Sequence, residues 1–366
     1  MKKYSVKSKA NITFILGSLT AGGAEKVASF LIDSLQNAGC KVSLVSRRGS
    51  EADFFTIPDS INRIVLGGEG ESGNKLVGLM KNVLYVARLR KALKRTNPDV
   101  VISFLTRPNI YTILATRFMN CRVVISERND TTRQTHDWPW GRLRRKLYSY
   151  ADVITANSQI ALDGMAEYVP GEKMVLIPNP VEVPQGRAVF DQSKRILNVG
   201  RLEKVKNQRL IIDAFGKTKL HETGWSLDFL GEGSDVEPLE VYKNQTEFSD
   251  HITFHGLVKN IETWYQNAAL FVLASDYEGT PNALLEAMAS GLPSIVSDSL
   301  PGAVELIGTE CGLVFRHGSV EDLSQKIALL SDSPELRKTM GEKARKRVEE
   351  FSPDRVFQLW SRILTG

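Results

Sequence analysis

Residues 278–293 read Glu278-Gly279-Thr280-Pro281-Asn282-Ala283-Leu284-Leu285-Glu286-Ala287-Met288-Ala289-Ser290-Gly291-Leu292-Pro293. Thr280 is a natural N-cap, Pro281 fits the first helical position, and Gly291 with Pro293 closes the helix. Short apolar runs flank the stretch, Leu270–Leu273 before it and Pro293–Ser297 after it. Neither alternates with polar residues, as expected of strands covered on both faces. The unit is therefore strand, loop, helix, strand.

The same unit recurs outward from there. Ile12–Leu16, Lys41–Ser46, Val100–Phe104, Arg122–Ser126, Val153–Asn157 and Met174–Ile177 read as strands, as do Arg195–Val199, Ser226–Leu230 and His251–Phe254. Helical patterns fill the intervals, so the sheets are parallel. The rhythm breaks over Val183–Ser193, where Pro184, Gln185 and Gly186 fall in a stretch without apolar period. Arg195–Arg201 then restarts the opening theme of a strand running into a loop. Two doubly wound α/β domains follow, residues 1–185 and 186–350. The last segment, 351–366, carries Val356, Leu359, Trp360, Ile363 and Leu364 at helical spacing.

A length of 366 residues suits two cores rather than one, and 42% hydrophobic with 24% charged residues is the balance of a water-soluble globular chain. Cys40, Cys121 and Cys311 are scattered, as are the five histidines, so neither a disulfide framework nor a metal site is expected. Lys2 and Lys3 precede an apolar run of five residues, which is a first strand rather than a signal peptide. No run approaches the roughly 18 apolar residues of a membrane span. A cytoplasmic setting follows. The net charge of +5 conceals an asymmetry: residues 1–190 hold 27 basic against 16 acidic residues, and the rest hold 20 against 26. The basic half suits an anionic membrane surface, a phosphorylated acceptor or nucleic acid, but no nucleic-acid recognition motif supports the last.

Ligands of open parallel sheets bind beyond the carboxyl ends of strands. Three loops stand there. The first, Gly17–Glu25, holds Gly22 and Gly23, whose amides can approach a phosphate at a helix start. It is neither a dinucleotide fingerprint nor a P-loop, and a plain strand–helix turn is its alternative. The second, Asn198–Asn207, holds Arg201 and Lys206, two cations suited to a diphosphate and to the charge it develops on leaving, or else solvated surface charges. In the third, Glu278 precedes the helix and Glu286 lies on its second turn. The helix start between them favours a diphosphate, and each carboxylate can accept both protons of a vicinal diol, as on a ribose and a hexose.

Taken together these residues resemble the retaining GT-B glycosyltransferases of glycosyltransferase family 4, the "group 1" family. Glu278 to Glu286 matches its E-x7-E motif, and Gly200-Arg201 through Lys206 its Gly-Arg-Leu…Lys segment. Gly231-Glu232-Gly233, His255-Gly256-Leu257-Val258, Ile177-Pro178-Asn179-Pro180-Val181 and Gly22-Gly23-Ala24-Glu25 match further segments. The resemblance implies two Rossmann-like domains facing each other across a cleft, the first for acceptor and the second for a nucleotide-sugar donor, with the 351–366 helix returning to the first. It implies that Arg201 and Lys206 hold the donor diphosphate, Glu286 the ribose and Glu278 the transferred sugar. Amides of Gly279, Thr280, Pro281-flanked backbone and Asn282 would meet sugar and phosphates, and Gly22 and Gly23 the β-phosphate. No metal or cofactor is implied, the donor, a UDP-sugar, being a substrate. One departure stands out: where many relatives carry a His, this chain reads Ser126-Glu127-Arg128-Asn129. Arg128 is the candidate for its electrostatic role, and Glu127 for orienting the acceptor. That version of the segment resembles bacterial N-acetylgalactosaminyltransferases that extend lipid-linked oligosaccharides.

Lys75–Arg95 holds seven cations and no acid. Leu76, Leu79, Met80, Val83, Val86, Leu89 and Leu93 recur at helical spacing, with Lys81, Arg88, Lys91 and Arg95 on another face: a basic amphipathic helix, suited to anionic lipid or to an ordinary solvated surface. Trp138-Pro139-Trp140 followed by Arg142, Arg144 and Arg145 suits a headgroup region, a lid or a core edge. These clusters point to a peripheral enzyme on the inner membrane face and to a polyprenyl-diphosphate-linked rather than a free saccharide acceptor. Two other readings stand beside this one: a nucleotide-sugar epimerase, which would turn over donor without acceptor, and a non-catalytic nucleotide-sugar-binding module. The intact Glu278, Glu286, Arg201 and Lys206 argue against the module; the missing His argues for it. A nicotinamide dehydrogenase is disfavoured, since no G-x-G-x-x-G follows the first strand of either half.

Overall fold

The structure, a computed structural model, describes residues 10–68, 75–133, 139–186 and 193–364. Lys2, Lys3, Trp138 and most of the stretch between the two halves lie outside these residues, as do the side chains of Lys75 and Leu76. The chain divides into two compact units, residues 1–179 with 354–366 and residues 180–353.

The first unit is built on β1 (Asn11–Leu16), β2 (Lys41–Ser46), β3 (Asn62–Val65), β4 (Val100–Phe104), β5 (Arg122–Glu127), β6 (Val153–Ala156) and β7 (Met174–Leu176). These form one sheet in the order β3-β2-β1-β4-β5-β6-β7, parallel throughout. The second is built on β8 (Arg195–Val199), β9 (Ser226–Leu230), β10 (Ile252–Phe254), β11 (Leu270–Leu273), β12 (Ser294–Ser297) and β13 (Gly312–Phe315), in the order β10-β9-β8-β11-β12-β13. This too is parallel. Strand order reverses between β1 and β4 and between β8 and β11, and those are the points where a doubly wound sheet opens a crevice for ligand.

Each sheet carries an apolar core on both faces, which is why its central strands are aliphatic without alternation. One core of the first unit includes Val356, Trp360 and Leu364 of the Pro353–Leu364 helix. Trp360 is fully buried and packs on Phe104, their ring centroids 6.0 Å apart. The terminal helix thus belongs to the first unit although the whole second unit precedes it in the chain.

Two strands escape the sequence reading, β3 and β13. The Lys75–Thr96 helix also departs from it. Its packing face is Tyr85, Leu89, Ala92 and Leu93, all buried, whereas Leu79, Met80 and Val83 lie on the outside. The residues expected to form one apolar stripe therefore divide between inside and outside. The Trp140 expectation is narrowed likewise: Trp140 is buried, edge-on to Tyr111 at 5.4 Å, and is a core edge rather than a headgroup anchor.

Candidate active site

In the second unit the loops after β8 and β11 meet at the point where strand order reverses. Backbone constraints set their shape. Gly231, just after β9, has φ +135°, and a Cβ there would sit 2.1 Å from the Gly200 carbonyl oxygen. A Cβ on Gly233 would sit 2.1 Å from the Leu202 carbonyl oxygen. The Gly-x-Gly spacing is thus what lets the loop after β9 lie directly against the loop after β8. The β9 loop also bridges to Gly256 after β10.

The β8 loop ends in a turn, Lys204–Lys206, closed by Asn207 in the left-handed conformation (φ 53°). Asn207 donates from Nδ2 to the Ala274 carbonyl at 3.0 Å and to the Asp276 carboxylate. The Asp276 amide in turn donates to the Val205 carbonyl at 2.8 Å. These bonds tie the turn that carries Lys206 to the loop that carries Glu278. As a result Lys206 Nζ lies 2.6 Å from Glu278 Oε1, with the two side chains only 16% and 18% exposed. Ser275 Oγ donates to the same oxygen at 2.8 Å. Arg201 lies on the same loop but turns outward, 67% exposed, with Nη1 2.9 Å from Glu203.

The helix following Glu278 runs Asn282–Ala289. Its N-cap is Pro281, extended at ψ 117°, so Thr280 stands one residue earlier than the capping position expected of it. Proline has no amide hydrogen to lose there and fixes the approach of the chain. The stop is the one the sequence calls for. Gly291 adopts φ +82°, its amide donates to the Met288 carbonyl, and Leu292 donates to Ala287, the paired bonds of a Schellman turn. Glu286 lies on the second turn, where the hydroxyl of Tyr265 donates to its Oε2 at 2.9 Å. Tyr265 is fully buried, and burial first, then the Glu286 charge, holds its phenol well above the usual range. It is therefore a fixed donor that orients the carboxylate. Sequence reasoning missed Tyr265, Asp276, Asn207 and His317. The last bridges Ser297 Oγ at 3.2 Å and Asp276 at 3.4 Å from the loop after β13. Asn207 ends the second candidate loop, but Tyr265, Asp276 and His317 fall in no motif, and only the finished fold brings them to one place.

In the first unit the Gly22–Gly23 loop opens the Gly23–Asn37 helix, with Gly22 extended as its N-cap. The Glu25 carboxylate folds back over it, so that a Cβ on Gly22 would be 2.1 Å from Glu25 Oε2. That places a negative charge at the helix start expected to receive phosphate.

The segment Ser126-Glu127-Arg128 is held by partners within the first unit. Glu127 ends β5 fully buried, accepting from Thr106 Oγ1 at 2.8 Å and from the Tyr148 hydroxyl. Burial pushes its carboxyl up, with the Tyr148 bond, Arg144 and Thr106 opposing. Arg128 is buried as well. Its Nε donates to Ser126 Oγ at 2.8 Å and its Nη1 to Asn179 Oδ1 at 2.8 Å, while the guanidinium lies over Phe104 and Trp360. Burial pulls its pKa down to about 9, which leaves it charged at neutral pH. Arg128 thus braces β5, the 177–179 segment and the terminal helix, and Glu127 is held by Thr106 and Tyr148. A charged residue just beyond a strand reads as a site residue in sequence, but which way it turns is decided by Trp360, more than two hundred residues later. Leu105, directly after β4, holds φ 72° and ψ 154°, a conformation that side chains other than glycine's rarely adopt.

Comparison with known proteins covers nearly the whole chain. The family model "Glycosyltransferase Family 4" matches residues 21–184 and the model "Glycosyl transferases group 1" matches residues 182–347. A Campylobacter jejuni N-acetylgalactosamine-N,N'-diacetylbacillosaminyl-diphospho-undecaprenol 4-alpha-N-acetylgalactosaminyltransferase is 27% identical over 95% of this chain and 98% of its own. The amylovoran biosynthesis glycosyltransferase AmsD of Erwinia amylovora is 24% identical over 96% and 99%. Among solved structures, Anabaena HepE in complex with UDP and glucose superposes with a TM-score of 0.83 at 16% identity, covering 97% of this chain and 99% of that one. The architecture is the GT-B fold.

Proposed function

Since the chain belongs to glycosyltransferase family 4, whose two domain models lie end to end along it, we propose that it transfers a hexose or N-acetylhexosamine from a UDP-sugar to a polyprenyl-diphosphate-linked saccharide in bacterial cell-surface glycan assembly. The observation that carries this reading is the Lys206–Glu278 pair at the β8–β11 reversal, beside the start of the Asn282–Ala289 helix. Cation, helix start and carboxylate there suit, in turn, a diphosphate and a sugar diol. Arg201, exposed beside them, is free to swing from Glu203 onto the same diphosphate. Glu286, oriented by Tyr265, takes the ribose hydroxyls. The amides at Gly279, Thr280 and Asn282 face the sugar and phosphates.

The transfer retains anomeric configuration. Glu278 accepts from Lys206 and Ser275 through Oε1, and its role in this scheme is to bind sugar hydroxyls rather than to attack as a nucleophile. As the bond from C1 to the diphosphate breaks, negative charge grows on the departing oxygen. Lys206, Arg201 and the helix start stabilise it. That oxygen accepts the proton of the acceptor hydroxyl, which bonds to C1 on the same face. Neither a resident metal nor a cofactor is required by this scheme. The C. jejuni relative, whose name specifies an undecaprenol-linked substrate, supports the lipid-linked acceptor, and the UDP held by HepE supports the donor.

The test is to incubate the protein with UDP-, GDP- and ADP-sugars, with and without bacterial lipid extract, and to measure released nucleotide diphosphate. Release from a UDP-sugar only when extract is present is expected. Conversion of the donor to its epimer without acceptor, or tight donor binding with no release under any condition, would overturn the proposal.

A further inference from the structure

The Lys75–Thr96 helix presents an unusual outward face. Its buried side is Tyr85, Leu89, Ala92 and Leu93. On another side Val77, Met80, Leu84, Arg88, Lys91 and Arg95 follow one another at steps of three or four residues, and all are exposed. One continuous row is therefore apolar for its first half and cationic for its second. Leu79 and Val83 widen the apolar half, and Lys81 flanks it. Leu79, Met80 and Val83 are 60%, 65% and 61% exposed. Burial inside the unit does not explain side chains of this kind left in water. Arg90, on the flank of the same helix, donates to the carbonyls of Ala115 and Arg117, at 2.8 and 2.6 Å. The next residue, Phe118, has φ 63° and is 94% exposed, so the loop held by this helix adds an aromatic side chain in the open.

We propose that this face, residues 77–95 with Phe118, docks on an anionic bilayer. The apolar half, about 10 Å long at the helical rise, gives a helix lying in the interface plane a face to sink into the headgroup boundary. The cations that continue the row then stand among the headgroups. The helix carries seven Lys and Arg and no Asp or Glu, so every charge on it attracts an anionic surface. A second copy of the chain fits worse, because joining two such faces brings two cationic rows together with no carboxylate on either helix. The proposal rests on this surface and not on the transferase reading, although a lipid-linked acceptor would make it useful.

The experiment is co-sedimentation of the full chain with vesicles of phosphatidylcholine alone and of phosphatidylcholine mixed with phosphatidylglycerol. Binding to the mixed vesicles only, weakened by salt, is expected. Arg88→Gln with Lys91→Gln should lower the partition about twenty-fivefold, at about fivefold for each cation near the surface. Leu79→Ser, Met80→Ser and Val83→Ser together should abolish it. These exposed changes leave the thermal melt and nucleotide release to a water-soluble acceptor at wild-type levels, so failure of docking is separable from failure of catalysis. Equal binding by wild type and variants, no binding by the wild type, or a wild-type dimer that the triple serine variant converts to monomer would each overturn the proposal.

Discussion

Replacing Lys206 with alanine removes one end of an ion pair that serves two purposes. Nζ lies 2.6 Å from Glu278 Oε1, and both side chains are mostly buried. For turnover, loss of a charge aimed at the leaving diphosphate should cost ~10²–10³ in kcat/KM, about 3–4 kcal/mol. For stability, Glu278 is left without its cation but keeps the Ser275 hydroxyl. An exposed pair contributes ~0–1 kcal/mol and breaking a fully buried one costs ~3–5, so a pair of intermediate burial should cost about 2 kcal/mol. The two effects separate in a second variant, Lys206→Met with Glu278→Gln. It removes both charges, so most of the stability should return while turnover stays lost. The assay is donor-dependent release of nucleotide diphosphate, read beside urea denaturation of each variant. Near-normal turnover in Lys206→Ala would refute the assignment. So would recovery of turnover with stability in the double variant, since the first loss would then be one of folding.

Three further outcomes follow from the same geometry. Tyr265→Phe removes the donor that orients Glu286, and loss of one such bond, ~1 kcal/mol, should raise the KM for donor about fivefold with kcat nearly unchanged; a fall in kcat alone would contradict the positioning role. Gly231→Ala places a Cβ against the Gly200 carbonyl at a φ disfavoured for alanine, and should lower the melting temperature and the yield of folded protein; a wild-type melt would show the β8 and β9 loops to be separable. Burial raises the carboxyl of Glu127, so the folded state holds its proton more tightly than the unfolded one, whose carboxyl titrates near 4.5. That contribution is present at low pH and is lost as pH rises from about 4.5 through the folded value. Glu127→Gln should remove this decline and be at least as stable as wild type at neutral pH, as followed by thermal melts across pH; a decline that persists in the variant would place its source elsewhere.

What could be read in advance depended on how each feature is encoded. The central strands were legible because burial on both faces demands an unbroken aliphatic run. β3 was not: Asn62 and Arg63 open it at the sheet edge, and Arg63 pairs with Asp53 instead of entering a core. β13 begins at Gly312, where a Cβ would be 2.1 Å from the Ser294 carbonyl oxygen. Its glycine reads as a break in sequence, whereas the structure uses it for close approach to β12. The outward apolar half of the Lys75–Thr96 helix was illegible for another reason. Leu79 and Val83 share one broad arc of the helical wheel with Val86, Leu89 and Leu93, so spacing reads them as one stripe, and only the burial of Tyr85, Leu89 and Leu93 settles the orientation.

The same distinction separates the two candidate binding regions. In the second unit the site is written into the backbone. Gly231, Gly233, the left-handed Asn207 and the Gly291 stop are residues with few substitutes, and their positions imply the loops that hold Lys206, Glu278 and Glu286. In the first unit the corresponding strand ends carry Ser126, Glu127 and Arg128 in ordinary backbone, and their direction is set by partners far away: Tyr148 and Thr106 for Glu127, Asn179 and Trp360 for Arg128. A polar residue after a strand reads the same whether it faces a ligand or a core. Backbone-encoded sites can therefore be read from sequence residue by residue, whereas side-chain-encoded ones become legible only when the residues that bury them are known.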